Sequence, residues 1–228
     1  MNFPPDYTES EKALISYVKP YTMTSVYKLK ALIDAVTYIH ARKIPGDFVE
    51  CGVWKGGSVM AMIKTLELCL AQPRKIWLFD TFEGMPPPSP KDTALDGHDV
   101  NEFFAKTQID ETSSDWCRSP LDEVKQNVAL TGYDPQHLNF VKGDVCKTLQ
   151  GDKPESIALL RLDTDWYEST KAELENLFPR LQTGGILIID DYGYWEGQKE
   201  AVDEYFSTVA EPVFLGRVDS PCRIAVKI

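Results

Sequence analysis

Leu159-Leu160-Arg161-Leu162-Asp163-Thr164-Asp165-Trp166-Tyr167 is answered, one helix length later, by Gly184-Gly185-Ile186-Leu187-Ile188-Ile189-Asp190-Asp191-Tyr192. Each half is a short apolar run ending in two carboxylates, which is how a buried parallel strand reads when its C-terminal end opens into a site. Ligands of open α/β sheets bind at that carboxyl edge. With no Lys or His among them, the four acids are expected to repel one another unless something positive lies between them. A hard divalent cation is the candidate.

Working upstream, Gly46-Asp47-Phe48-Val49-Glu50-Cys51-Gly52-Val53-Trp54-Lys55-Gly56-Gly57-Ser58 reads as a strand, a glycine-bearing turn and the start of a helix over 59–70. The glycines let backbone approach a ligand, and the helix N-terminus offers free N–H groups to a carboxylate-bearing part of it. The spacing is not Gly-x-Gly-x-x-Gly, which disfavours a pyrophosphate. Lys75-Ile76-Trp77-Leu78-Phe79-Asp80 is a second strand ending in an acid placed to accept ribose hydroxyls. A third strand, 137–144, ends in Gly143-Asp144.

Two segments flank this rhythm. Residues 1–20 read as a helical arm with Leu14, Ile15, Tyr17 and Val18 on its apolar side and Pro20 as its stop. A second amphipathic helix follows, with Ser25 or Thr24 as its N-cap. Between the second and third strands, residues 84–120 begin with Gly84-Met85-Pro86-Pro87-Pro88-Ser89-Pro90, which suits neither helix nor ladder strand, and carry one weakly apolar segment, 100–105. A loop of that length is expected to be a substrate lid. Ser119-Pro120 then looks like an N-cap and N1 pair starting a helix to about Thr131. The chain closes with a helix over 168–181, one over 197–207, and short strands at 213–218 and 224–228 that form a hairpin.

Alternating βα units and a terminal hairpin predict a single α/β domain over 1–228: a doubly wound, mostly parallel seven-stranded sheet, Rossmann-like, with an antiparallel last strand. A formal charge of −11 argues against nucleic acid or an anionic membrane as partner. Five scattered cysteines without a Cys-x-x-Cys pair suggest neither a disulfide framework nor a zinc site. The N-terminus shows no signal-peptide pattern, and a cytoplasmic setting is expected.

Taken together, Val49-Glu50-Cys51-Gly52-Val53-Trp54-Lys55-Gly56-Gly57-Ser58, Phe79-Asp80-Thr81-Phe82-Glu83-Gly84-Met85-Pro86, Leu162-Asp163-Thr164-Asp165, Ile189-Asp190-Asp191-Tyr192 and Thr22-Met23-Thr24 resemble the TylF/MycF family of macrocin-type sugar O-methyltransferases, within the class I methyltransferase fold. That resemblance implies S-adenosylmethionine as methyl donor and a divalent cation, usually Mg2+, on Asp163, Asp190 and Asp191, with Asp165 as general base. It further implies a cofactor site drawn from Thr24, Glu50, Gly52, Trp54, Lys55, Gly56, Gly57, Ser58, Asp80, Thr81, Phe82, Ser119, Gly143 and Asp144. The resemblance also implies a small-molecule acceptor, a hydroxyl of a glycoside or related natural product, and is compatible with a homo-oligomer.

The residues themselves support part of that division. Asp163 and Asp165, at i and i+2 of one strand, would face the same side about 7 Å apart. Asp190 and Asp191 reach one ion only if the chain turns there, which Tyr192-Gly193 permits. Tyr192, Tyr194, Trp195, Trp166 and Tyr167 put aromatic rings near the acids, able to stack on a sugar or to serve as core. His98, in the lid, reads as a solvated loop histidine rather than an auxiliary base. Three other functions stay open at this level: a catechol-type O-methyltransferase, a nicotinamide dehydrogenase, and a non-catalytic cofactor-binding protein.

Overall fold

The computed structural model describes residues 2–210 and 212–228. In chain order the elements are α1 (Glu9–Val18), α2 (Val26–Ala41), β1 (Asp47–Cys51), α3 (Gly57–Leu68), β2 (Ile76–Asp80), α4 (Val100–Thr107), α5 (Leu121–Ala129), β3 (Leu138–Lys142), α6 (Val145–Thr148), β4 (Ile157–Leu162), α7 (Tyr167–Leu177), β5 (Leu181–Ile189), α8 (Glu196–Thr208), β6 (Gly216–Arg217) and β7 (Arg223–Val226). The seven strands form one sheet in the order β3-β2-β1-β4-β5-β7-β6. The pairs from β3 to β5 are parallel, and β7 runs antiparallel to both β5 and β6. This is the expected doubly wound sheet with its antiparallel strand. The order reverses between β1 and β4, and that reversal opens the crevice where such sheets bind ligands.

The central strands are apolar on both faces because helices cover both. Leu14, Ile15 and Val18 of α1, Leu29, Leu32 and Val36 of α2 and Met60 and Ile63 of α3 pack on one face with Phe48 and Leu159. Leu174 and Leu177 of α7 and Val202 of α8 pack on the other with Val49, Leu160 and Leu187. The arm is thus part of the core. Tyr17 is the exception to its predicted apolar side: it stands 39% exposed, its hydroxyl donating to the Leu130 carbonyl. Thr8 and Glu11 form a reciprocal capping box at the start of α1.

Three local expectations shift. Helix α5 begins one residue later than expected, with Pro120 at the N-cap, because the Ser119 hydroxyl donates to Glu123 and not to the backbone. The weakly apolar segment at 100–105 is a helix, α4, capped by Asp99 and anchored through Val100 and Phe104. Strand β4 ends at Leu162, so Asp163 and Asp165 lie beyond the ladder and the i, i+2 strand geometry does not apply to them.

Candidate active site

The acids meet because the backbones of three strand ends converge. Asp163 N–H donates to the Cys51 carbonyl of β1, and Asp190 N–H donates to the Leu162 carbonyl of β4. Gly52 turns at φ +82, and a Cβ there would stand 2.0 Å from the Asp163 carbonyl oxygen, so only glycine fits. Past Asp163 the chain bends sharply, with Asp165 in the left-handed region at φ 70. In place of a flat i, i+2 pair, the bend folds the carboxylates inward. One oxygen each from Asp163, Asp165 and Asp191 lies within 4.8 Å of the others.

The bend is braced from behind. Thr164, between the two acids, donates to Glu173 of α7 at 2.8 Å and lies 2.9 Å from the Ser169 hydroxyl. Glu173 is fully buried, and burial pushes its carboxyl up to about 8. The start of α7 has no cap from Trp166; Asp92 of the 84–120 segment supplies it, accepting from Tyr167 N–H at 2.7 Å.

The positive charge expected from a bound ion is partly built into the protein. Alternation along β4 turns Arg161 toward the side of the sheet carrying α2 and α3, where it is 2% exposed. Its guanidinium donates to Glu50, to Asp163 at 2.9 Å, to Asp190 at 2.6 Å and to the Thr24 hydroxyl at 3.2 Å. Lys28, in the first turn of α2, donates to Asp190 at 2.6 Å and to Asp191 at 3.0 Å. Burial opposes the charge of Lys28, but Asp190 and Asp191 more than offset it and hold the ammonium protonated. Asp190, buried between Arg161 and Lys28, is held below the usual carboxylate range. Asp163, Asp165 and Asp191 go the other way, raised by burial first and then by neighbouring carboxylates, Asp190 among them in each case.

Five carboxylates, Glu50, Asp163, Asp165, Asp190 and Asp191, therefore face two cations, and Asp165 Oδ1 is buried with no hydrogen-bond partner among the described residues. That excess of negative charge and the orphaned oxygen on one of three convergent carboxylates fit a divalent cation; Asp165, expected as the base, lies within that set, whereas Asp190, expected as a ligand, lies outside it, held by Arg161 and Lys28. The signal for Arg161 was a single cation inside an apolar strand, which has no reason to be there unless acids surround it.

A cavity of about 400 Å³ opens over these groups, within the usual size for small-molecule sites. Of the residues expected at a cofactor, Thr24, Glu50, Gly52, Trp54, Ser58, Asp80, Thr81, Gly143 and Asp144 line it. Lys55, Gly56, Gly57, Phe82 and Ser119 do not. Lys55 pairs with Glu123, and Gly56 and Gly57 are packed under Val128 and Tyr21. Phe82 is buried against Phe140, and Ser119 is engaged by Glu123. Asp80, expected to face a ribose, accepts the N–H groups of Val53, Trp54 and Phe82 and so holds the glycine turn in shape. Asp144 also caps α6 through Cys146 N–H.

The 84–120 segment forms an ordered wall. Met85 N–H donates to the Trp116 carbonyl, Leu95 N–H to the Tyr194 carbonyl and Glu196 N–H to the Thr93 carbonyl. Trp116 meets Trp166 and Trp195 edge to face at 5.5 and 6.0 Å, and Phe103 of α4 covers it at 4.7 Å. Trp116, Tyr194 and Trp195 line the cavity; Trp166, Tyr167 and Tyr192 do not, and the last two turn their hydroxyls to Glu204 and Asp203 of α8. Trp116 is the one tryptophan of the 84–120 segment, and only the folding of that segment against Trp166 and Trp195 brings it to the cavity. His98 is 74% exposed beside Asp96, away from the cavity.

Comparison with known proteins is consistent with this geometry. A family model described as macrocin-O-methyltransferase (TylF) matches residues 10–223. Among curated proteins, an 8-demethyl-8-(2,3-dimethoxy-alpha-L-rhamnosyl)-tetracenomycin-C 4'-O-methyltransferase of Streptomyces olivaceus is 36% identical over 185 residues, 81% of this chain and 67% of the relative. A mycinamicin III 3''-O-methyltransferase of Micromonospora griseorubida is 31% identical over 81% of this chain and 70% of its own. The solved structure of the O-methyltransferase NovP superposes with a TM-score of 0.77 at 27% identity, covering 91% of this chain and 82% of that one.

Proposed function

The chain belongs to the macrocin-O-methyltransferase (TylF) family and is an O-methyltransferase; from that premise we propose that it methylates a sugar hydroxyl of a small natural product, using S-adenosylmethionine and a divalent cation such as Mg2+. The observation that carries this reading is the convergence of Asp163, Asp165 and Asp191 beneath the cavity that also bears the Gly52–Ser58 turn. The cofactor supplies an electrophilic methyl group. The cation, held by Asp163, Asp190 and Asp191, would supply Lewis acidity that makes a hydroxyl easier to deprotonate.

The chain's own residues do the rest. Glu50, Gly52, Trp54 and Ser58 receive the amino-acid end of the methyl donor, Asp80 and Thr81 its ribose, and Gly143 with Asp144 its adenine. Asp165 receives the acceptor's proton on its unpartnered oxygen, Oδ1. Trp116, Tyr194 and Trp195 offer apolar faces for a pyranose and, with the rest of 84–120, exclude water. A cytoplasmic setting goes with this proposal; no described helix is long and apolar enough to cross a membrane.

The test is calorimetry with S-adenosylmethionine in the presence of Mg2+ and of EDTA, followed by by-product release across glycosides and catechols. Glycoside turnover that needs the cation is the expected result. Preferential turnover of catechols would move the chain to a phenolic acceptor, and turnover unaffected by EDTA would remove the cation.

A further inference from the structure

We infer that Lys28 is a tethered counter-cation for Asp190 and Asp191, closing that pair in the metal-free protein and giving way when a divalent ion takes their carboxylates. The inference rests on the metal-dependent reading above and concerns what the ion must displace.

Position speaks first. Lys28 occupies the third residue of α2, where its own N–H bonds the Ser25 cap, and a cation in the first turn of a helix opposes the macrodipole. That placement is unfavourable unless a local negative site offsets it. Asp190 and Asp191 are such a site, and Lys28 touches both with a side chain that is only 10% exposed.

Both oxygens of Asp190 are in use, one by Arg161 and the other by Lys28, so an ion that uses Asp190 must share an oxygen with one of the two cations, and like charges on one oxygen repel. Arg161 is fixed by Glu50, Asp163 and Thr24 as well, through a rigid planar fork. Among the described residues Lys28 has only the two aspartates as acceptors, on a flexible four-carbon stem. It is the partner that can leave. An ion drawn to the convergent oxygens of Asp163, Asp165 and Asp191 also shares Asp191 with the ammonium, and like charges on one carboxylate repel.

The experiment titrates Mn2+ into the wild type, Lys28→Met and Lys28→Gln by calorimetry, without cofactor or acceptor. Tighter Mn2+ binding by about tenfold or more in both variants, about 1.4 kcal/mol, is expected. Equal or weaker binding in the variants, with the wild type still binding, overturns the role of Lys28 and leaves the metal site standing. No binding by any form overturns both. Because loss of Lys28 could unfold the site, the wild type is also acetylated with and without Mn2+ and Lys28 is followed by mass spectrometry. Protection that is lost on adding Mn2+ supports displacement, and unchanged protection under saturating Mn2+ overturns it.

Discussion

Glu50 of β1 and Arg161 of β4 are register partners on adjacent parallel strands, and their side chains form an ion pair that is almost wholly inside the protein. Burial pushes the Glu50 carboxyl up to about 7 against the pull of Arg161, and Glu50 Oε2 has no hydrogen-bond partner among the described residues. The pair ties the glycine-turn side of the cavity to the acids, since the same guanidinium holds Asp163 and Asp190. Arg161→Met should strand those carboxylates in the interior and cost about 3–5 kcal/mol, read as a lower urea midpoint. Arg161→Lys should recover only part of the loss, because one ammonium cannot reproduce the fork.

Gly52→Ala should be nearly as severe. A methyl group there meets the Asp163 carbonyl oxygen at 2.0 Å and the left-handed backbone resists it. The strand ends must part, so the variant should lose calorimetric binding of S-adenosylmethionine and melt at a lower temperature. Retained binding would show that the two strand ends can separate at little cost.

Asp165→Asn keeps the shape of the bend and removes a proton acceptor. Single-turnover methyl transfer should slow by about 10²–10⁴-fold, the usual contribution of a positioned base. Affinity for S-adenosylmethionine should change little, because the proposed cofactor walls lie elsewhere on the cavity. An unchanged rate would eliminate Asp165 as the base.

Glu173 makes a prediction about pH. Its folded-state value of about 8 lies above its ordinary 4.5, so the folded protein retains a proton that the unfolded chain releases. Stability is then fully present below about pH 4.5 and is lost as pH rises toward 8, by up to about 1.4 kcal/mol per pH unit across that window. Glu173→Gln should flatten this slope in denaturation curves measured from pH 5 to 8. The bond from Thr164 can be kept by the amide oxygen, so the bend itself should survive at low pH.

Much of this architecture is legible along the chain because it is local. Apolar runs such as Leu159–Leu162 and Ile186–Ile189 declare buried parallel strands, Gly52 declares a backbone approached closely, and the order of βα units declares the doubly wound sheet and the edge at which its acids gather. The tertiary structure decided how those acids are neutralised. Lys28 lies 162 residues from Asp190, and Arg161 lies 111 from Glu50, so no spacing rule connects them. It also decided that Asp163 and Asp165 converge rather than lie along a strand, since the bend between them is imposed by bonds to Cys51 and Glu173 on other elements. Hydrophobic period is written residue by residue, whereas charge balance in a buried site is a property of groups brought together only when the sheet closes.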